Sequence, residues 1–361
     1  MALAGGPTDV VRRLREAAGD GVLPFDRFVE IALYSPDGFY NAEATPLGPS
    51  GSFYTAAHVT PLFGAALARR LQMEAVRLPD GVEFRVVEMG PGDGTLALDV
   101  LRSLPTDGPP WRWTFVERSE GLRGRLRERL AREGTGSAAV FDFAETLGDR
   151  GPFIGAVIAN EFLDALPFRR LVRRGSEWAE LGVRWAGDKF EWADGPRPAR
   201  VPGGPLPAAD DGTRYELGER AEGFLREVAD HLSDGVAIFL DYGADTDELV
   251  RGHGSGTLAA IRDHRVVDPL EAPGTADLSA FVDFGRIRSA AQRAGLVERS
   301  FRRQSEALGE WGFAELLETT EHRTVGAEAL VQLRLAAKNL LFGFDTFRVL
   351  ELGTRGPPAT S

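Results

Sequence analysis

The segment Val86-Val87-Glu88-Met89-Gly90-Pro91-Gly92-Asp93-Gly94-Thr95 places a carboxylate at the end of an apolar run and three glycines at alternate positions after it. Backbone without Cβ atoms can turn sharply at Gly90, Gly92 and Gly94 and lie flat against a ligand. A helical pattern starts at once, and free N–H groups at a helix start favour negative charge. This is the chemistry of a loop that cradles a nucleotide-like cofactor. A dinucleotide fingerprint reads G-x-G-x-x-G. The order here is E-x-G-x-G-x-G, so a nicotinamide dehydrogenase is the weaker reading. Glu117 ends the next apolar run, where a carboxylate can accept both ribose hydroxyls. Asp142 follows the third run and can face an adenine amino group. Asn160-Glu161 ends a fourth, with Asp164 just beyond, where cofactor and substrate should meet. Histidine as a residue type suits proton removal near neutral pH, which makes His264, beside Asp263, the candidate base.

The elements that must carry these residues alternate. The pattern predicts helix over 8–34, a turn at Ser35–Gly38, a small-residue loop over 41–52 and helix from Pro61 to Leu71. Strands follow at Phe84–Glu88, Trp111–Glu117, Ala138–Phe141, Ile154–Ala159 and Val236–Asp241, with helices at Leu96–Leu104 and around Leu122, Leu126 and Leu130. About 75 residues separate the fourth and fifth strands, too many for a plain crossover. Segments 168–173, 177–185 and 189–192 alternate like short strands, and 194–212 is rich in Pro, Gly and Asp. They form an inserted β-rich lobe, followed by a helix over 214–233. A loop-rich stretch covers 243–284. Helices are predicted at 285–294, 305–319 and 325–341, then a last strand at Phe347–Leu352 and a disordered tail from 353. The series implies a doubly wound α/β sheet, whose ligands bind at strand carboxyl ends. Three divisions result: 1–80, helical with a substrate loop; 81–167 with 214–361, the sheet domain; and 168–213, the lobe.

The chain has 361 residues, a net charge of −12 and no cysteine. The acidic balance argues against a nucleic-acid partner. The missing cysteines remove disulfides, thiolate metal sites and cysteine nucleophiles. Metal-ligand spacing such as H-x-x-x-H is missing, so no metal is implied. Residues 1–11 lack a signal-peptide pattern, and no apolar run approaches about 18 residues. A cytoplasmic protein without membrane contact is the expectation.

The glycine loop resembles motif I of S-adenosylmethionine-dependent methyltransferases. Further blocks are Tyr34-Ser35-Pro36-Asp37-Gly38-Phe39-Tyr40, Gly51-Ser52-Phe53-Tyr54-Thr55 with Phe63-Gly64, Asn160-Glu161-Phe162-Leu163-Asp164-Ala165-Leu166-Pro167, Asp241-Tyr242-Gly243, and Pro273-Gly274-Thr275-Ala276-Asp277-Leu278 running on to Val282-Asp283-Phe284. Together they resemble the MidA-like methyltransferases, relatives of a mitochondrial complex I assembly factor that methylates arginine. The resemblance implies a class I (Rossmann-like) methyltransferase fold with an N-terminal helical segment and an inserted β-rich lobe. The implied cofactor is S-adenosylmethionine. Glu88, Gly90, Gly92, Gly94, Glu117, Asp142 and Asn160 would bind it. Glu161, Asp164 and His264 would be catalytic, and Tyr54, His58, Asp263 and Asp277 would face the substrate. The family's best-known activity is symmetric dimethylation of a protein arginine, and a homodimer is conceivable. Three carboxylates of the usual pattern are replaced, by Ser52, by Ala56-Ala57-His58 and by Ala65. A guanidinium site wants carboxylates. The alternative acceptor is a small molecule methylated on O or N. An assembly protein without catalysis is the reading from another class, and the intact loop and Glu117 speak against it.

Overall fold

The computed structural model describes residues 7–42, 55–79, 81–105, 111–134, 139–195, 201 and 204–354. The loop over 41–52 (beyond residue 42), the tail beyond 354 and Tyr54 lie outside the described residues. In chain order, helices α1 (Pro7–Ala18), α2 (Phe25–Tyr34) and α3 (Leu62–Ala75) precede β1 (Arg85–Met89), α4 (Thr95–Ser103), β2 (Arg112–Val116), α5 (Glu120–Glu133), β3 (Val140–Ala144) and β4 (Phe153–Asn160). Strands β5 (Arg169–Arg174), β6 (Glu177–Ala186), β7 (Lys189–Asp194) and β8 (Arg214–Leu217) lead to α6 (Glu219–His231) and β9 (Leu232–Ala244). Then come α7 (Thr246–Gly252), β10 (Ala259–Arg262), β11 (Arg265–Val266), β12 (Asp277–Ser279), β13 (Val282–Asp283), α8 (Phe284–Ala294), β14 (Val297–Arg303), α9 (Gln304–Glu310), α10 (Phe313–Arg323), α11 (Ala327–Phe342) and β15 (Phe347–Gly353).

Two compact units result, with bounds unlike the three divisions expected from sequence. One comprises residues 1–53, 162–225 and 242–290, the other 54–161, 226–241 and 291–361. The second unit holds a sheet in the order β14-β15-β9-β4-β1-β2-β3. Its β1, β2, β3, β4 and β9 pair in parallel, while β14 and β15 pair antiparallel. The chain leaves β1 toward β2 and β3, then returns to β4 on the other side. The order therefore reverses between the carboxyl ends of β1 and β4, the place where such sheets bind ligands. Phe153 to Ala159 reads apolar throughout because a central parallel strand is covered on both faces. Ser119 caps α5, its hydroxyl accepting from Leu122 N at 3.2 Å. Trp113, Phe115, Val86, Leu98 and Leu126 are fully or almost fully buried in this unit's core.

The first unit holds a four-stranded antiparallel sheet, β7-β6-β5-β8, and a three-stranded one, β11-β10-β12. Val10, Leu14, Phe25, Phe28 and Val29 lie on the inner faces of α1 and α2 and pack with Phe168, Val183 and Phe190 in a separate core. Gly243 in β9 has a reason to lack a side chain, since a Cβ there would lie 2.1 Å from the Val282 carbonyl oxygen of β13.

Several sequence expectations change. The third strand runs over 140–144, so Asp142 lies inside it, opposite Thr114, rather than after it. Residues 214–217 form a fourth strand of the β-rich lobe, and the helix starts only at Glu219. The 243–284 stretch contains α7 and β10 to β13. Strand β14 is an addition. Glu298, Arg299, Arg302 and Arg303 make Val297–Arg303 read as a polar connection, yet charge of this kind is common on a strand at the edge of a sheet.

Candidate active site

In the second unit, all three loop glycines take left-handed backbone: φ is 58° at Gly90, 57° at Gly92 and 81° at Gly94. They differ in surroundings. A Cβ on Gly94 would stand 2.3 Å from Leu126 Cδ1, whereas a Cβ on Gly92 would meet nothing within 4 Å. Gly94 therefore lets α5 pack closely, and Gly92 leaves an open surface on the loop.

Glu88 does not reach that surface. It is 3% exposed, and its Oε2 accepts from the Trp113 indole at 2.9 Å. Burial pushes its pKa up to about 7, against the indole hydrogen bond, and Asp93 adds repulsion. Glu117 lies just beyond β2, half-buried. Its Oε1 accepts from Ser119 N at 2.8 Å, and its backbone N–H donates to Ala144 O at 3.1 Å. Burial raises its pKa, opposed by the Ser119 N–H and by Arg123 and Arg118. At the end of β4, the Asn160 side-chain oxygen is buried with no hydrogen-bond partner among the described residues.

Glu161 follows with φ 48°, one of three non-glycine residues in the left-handed region among the described residues, beside Asp263 and His264. Such backbone costs a long side chain about 1–3 kcal/mol and marks sites where the surroundings hold it in place. Here they do. Glu161 N donates to Leu240 O at 2.8 Å, and Glu161 Oε1 accepts from Ala56 N at 3.0 Å.

The short 3-10 turn Ala56–His58 is fixed from its other side too. His58 Nδ1 accepts from Thr55 N at 3.2 Å, which places the ring proton on Nε2, 3.3 Å from Asp93 Oδ2. Asp93 also accepts from Thr95 N at 3.0 Å and from Thr95 Oγ1 at 2.9 Å, and Arg129 lies 2.8 Å from its Oδ2. Burial works against its charge, but His58, the Thr95 N–H and Arg129 outweigh that and hold Asp93 down at about 2. His58, expected to face the substrate, thus spends both ring nitrogens joining the 55–58 turn to the glycine loop. Sequence reasoning missed Asp93 and Arg129, although Asp93 lies between two of the glycines it singled out.

The first unit carries a different cluster. Asp164 and Asp277 are 4% and 5% exposed. Tyr242 donates its hydroxyl to Asp164 Oδ2. Tyr40 donates to Asp277 Oδ1 at 2.7 Å, and Tyr34 donates to Ala165 O at 2.8 Å. Burial raises Asp164 to about 7, with Asp277 adding to the rise and Tyr242 opposing it. It raises Asp277 to about 6 against the Tyr40 hydrogen bond. Tyr34, Tyr40 and Tyr242 are visible in the sequence only as parts of motifs; their role as partners of these acids has no signal of its own there.

Asp263 and His264 are not in this cluster. They form the exposed two-residue turn between β10 and β11, with φ 50° and 60°. The structure therefore places the base expected at His264 in an exposed hairpin turn, with no hydrogen bond to the buried Asp164 or Asp277 among the described residues. Among the described residues no group of three His, Asp or Glu side chains could hold a metal, and no helix is long and apolar enough to cross a membrane.

Comparison with known proteins bears on this geometry. A sequence profile for a family described as "Putative S-adenosyl-L-methionine-dependent methyltransferase" matches residues 66–301. The chain is similar to the protein arginine methyltransferase NDUFAF7 homolog, mitochondrial, of Drosophila melanogaster, at 28% identity over 81% of this chain and 72% of that one. Its Mus musculus counterpart is 27% identical over 75% and 67%. A protein of Burkholderia thailandensis, solved bound to S-adenosyl-homocysteine, superposes with a TM-score of 0.84 at 29% identity, covering 96% of this chain and 92% of that one. A native structure of a protein from the same organism also superposes with a TM-score of 0.84, at 30% identity. With a profile spanning most of its length and a class I sheet order, this chain belongs to the S-adenosylmethionine-dependent methyltransferase family.

Proposed function

We propose that the Gly90–Gly94 loop, Glu117 and Asn160 hold the cofactor, and that the methyl acceptor is an arginine side chain of a protein. The residues fit the cofactor on three counts. Gly92 leaves the loop open where a backbone must approach a ligand. Glu117 is fixed at the end of the strand next to β1, a position suited to a ribose. The buried Asn160 oxygen awaits a donor. Glu88 acts behind this surface by ordering β1 against β2, not by touching a ligand.

The chemistry that S-adenosylmethionine supplies is an electrophilic methyl group on a sulfonium, open to in-line attack. The protein must align the acceptor and take a proton from a guanidinium. The observation that carries the arginine reading is the pair Asp164 and Asp277. Two buried carboxylates held by tyrosine hydroxyls offer planar recognition of a guanidinium. A carboxyl poised near neutrality, as at Asp164, can accept the proton released. The NDUFAF7 relatives, named as protein arginine methyltransferases, support the same acceptor. A small-molecule acceptor is the second reading. Ala56 and Ala57 favour it, being buried and apolar beside His58, which stands where the family pattern carries an acid.

The test is methylation of a protein and peptide pool with isotope-labelled S-adenosylmethionine, with the label located by mass spectrometry. Label on arginine that disappears with Asp164→Asn and Asp277→Asn is the expected result. Label confined to metabolites, or arginine labelling indifferent to both substitutions, overturns the assignment.

A further inference from the structure

Helix α11 in the second unit is apolar on more than one face. Leu330, Leu333, Ala337 and Leu340 form one stripe, and Ala337 and Leu340 are buried in the core, with Leu333 packed against it. A second stripe is exposed: Glu328, Val331, Leu335, Lys338 and Phe342, at spacings of three and four. At about 100° per residue the two stripes lie roughly 160° apart around the helix. Val331 is 53% exposed, Leu335 54% and Phe342 72%. A 3-4-3-4 repeat ending in an exposed phenylalanine has the form of a helix–helix seam.

The charges within the stripe choose the occupant. In a parallel pair of α11 helices Glu328 would meet Glu328 and Lys338 would meet Lys338. In an antiparallel pair centred on Leu333, Val331 faces Leu335 of the other copy, and Glu328 faces Lys338. Thr324, one step before Glu328 in the same repeat, then faces Phe342. The two apolar residues and the two opposite charges each find a complementary partner in the same stripe, which is the requirement of a two-fold symmetric contact. Lys338 is one of only two lysines in the chain. A compact ammonium at a seam position sets register and orientation.

We propose that two copies of this chain associate through antiparallel α11 helices, with Val331 and Leu335 at the centre and Glu328–Lys338 pairs at either end. Sedimentation equilibrium of the full chain tests it. The intact protein should sediment as a dimer at micromolar concentration. Leu335→Asp should raise the dissociation constant at least about tenfold while circular dichroism and thermal unfolding show a folded chain. Glu328→Lys and Lys338→Glu should each weaken the dimer, by placing like charges across the seam, and the double exchange should restore it. A monomer at these concentrations overturns the proposal. So does a double exchange no better than the singles, or a monomer that binds a different protein through this face.

Discussion

The two groups of acids in this molecule are made of the same residue type and behave in opposite ways. Asp93, in the glycine loop, is surrounded by His58, Arg129 and the Thr95 N–H and stays ionised down to about 2. Asp164 and Asp277 in the other unit are more deeply buried, meet tyrosine hydroxyls, and are pushed up by burial to about 7 and about 6. A phenol donates one hydrogen bond but brings no charge, so it offsets only part of the desolvation of a carboxylate. The first arrangement fixes a loop. The second leaves two carboxylates at a desolvation cost that their tyrosine partners offset only in part and that a bound cation would relieve.

The largest effect is expected where packing and backbone conformation coincide. Gly94→Val places a branched side chain at φ 81° and against Leu126. It should cost about 3 kcal/mol or more and leave little folded protein on thermal denaturation. Gly92→Ala shares the left-handed backbone but meets no neighbour. About 1–2 kcal/mol of stability should be lost, while calorimetry shows a larger proportional loss of S-adenosylhomocysteine affinity. Equal behaviour of the two variants would erase the distinction between a packing glycine and a ligand-facing one. Glu117→Ala, at the rim of the sheet and only half-buried, should weaken that affinity about 10- to 100-fold, or about 1.4–2.7 kcal/mol.

The contrast between the acids predicts opposite pH dependences. Asp93 has its folded pKa lowered, so its contribution is present above about pH 4 and disappears as the pH falls toward 2. Asp93→Asn should cost about 1–2 kcal/mol at pH 7, with the difference from the parent shrinking near pH 2–3. For Asp164 the folded pKa is raised, so folding favours the protonated form, and stability declines as the pH rises from about 4 to about 7. Asp164→Asn should therefore unfold at a higher temperature than the parent at pH 8, by about 1–2 kcal/mol in stability, and match it near pH 4. Methyl transfer to the proposed arginine acceptor should be lost in the same variant. A more stable, inactive protein is the signature of a carboxylate retained for function. An Asp164→Asn chain less stable than the parent at pH 8 would show instead that the charge helps hold the fold.

These differences explain what is legible without the structure. The glycine loop, the ends of β2 and β4 and the strand series can be read because they rest on local chemistry: φ-permissive residues, apolar runs and the first polar residue after a strand. The tyrosine–aspartate pairs cannot. Tyr40 and Asp277 are 237 positions apart, and Tyr242 and Asp164 are 78 apart, so only the folded chain joins them. His58 stands out in the sequence for the wrong role, because its motif position suggests a substrate while its partner Asp93 carries no separate signal. Strand β8 reads as helix since Arg214–Leu217 is short and runs straight into Gly218 and the acidic first turn of α6. In each case tertiary pairing decides what local pattern leaves open.

The smallest effect is expected at the turn whose histidine suits a base by residue type alone. Asp263 and His264 both hold positive φ in the two-residue connection of β10 to β11, the conformation of a type I′ hairpin. Asp and His tolerate it better than most residues, which is reason enough for both to be there. Asn and Gly tolerate it better still. The double exchange Asp263→Asn with His264→Gly should therefore keep the hairpin and raise stability by a few tenths of a kcal/mol to about 1 kcal/mol. Methyl transfer, followed by product formation across about pH 6–9, a range that brackets the ordinary histidine pKa, should keep both its rate and its pH profile. A profile that lost an ionisation near neutrality would return His264 to the chemistry; an unchanged one leaves Asp164 as the residue whose protonation the reaction should follow.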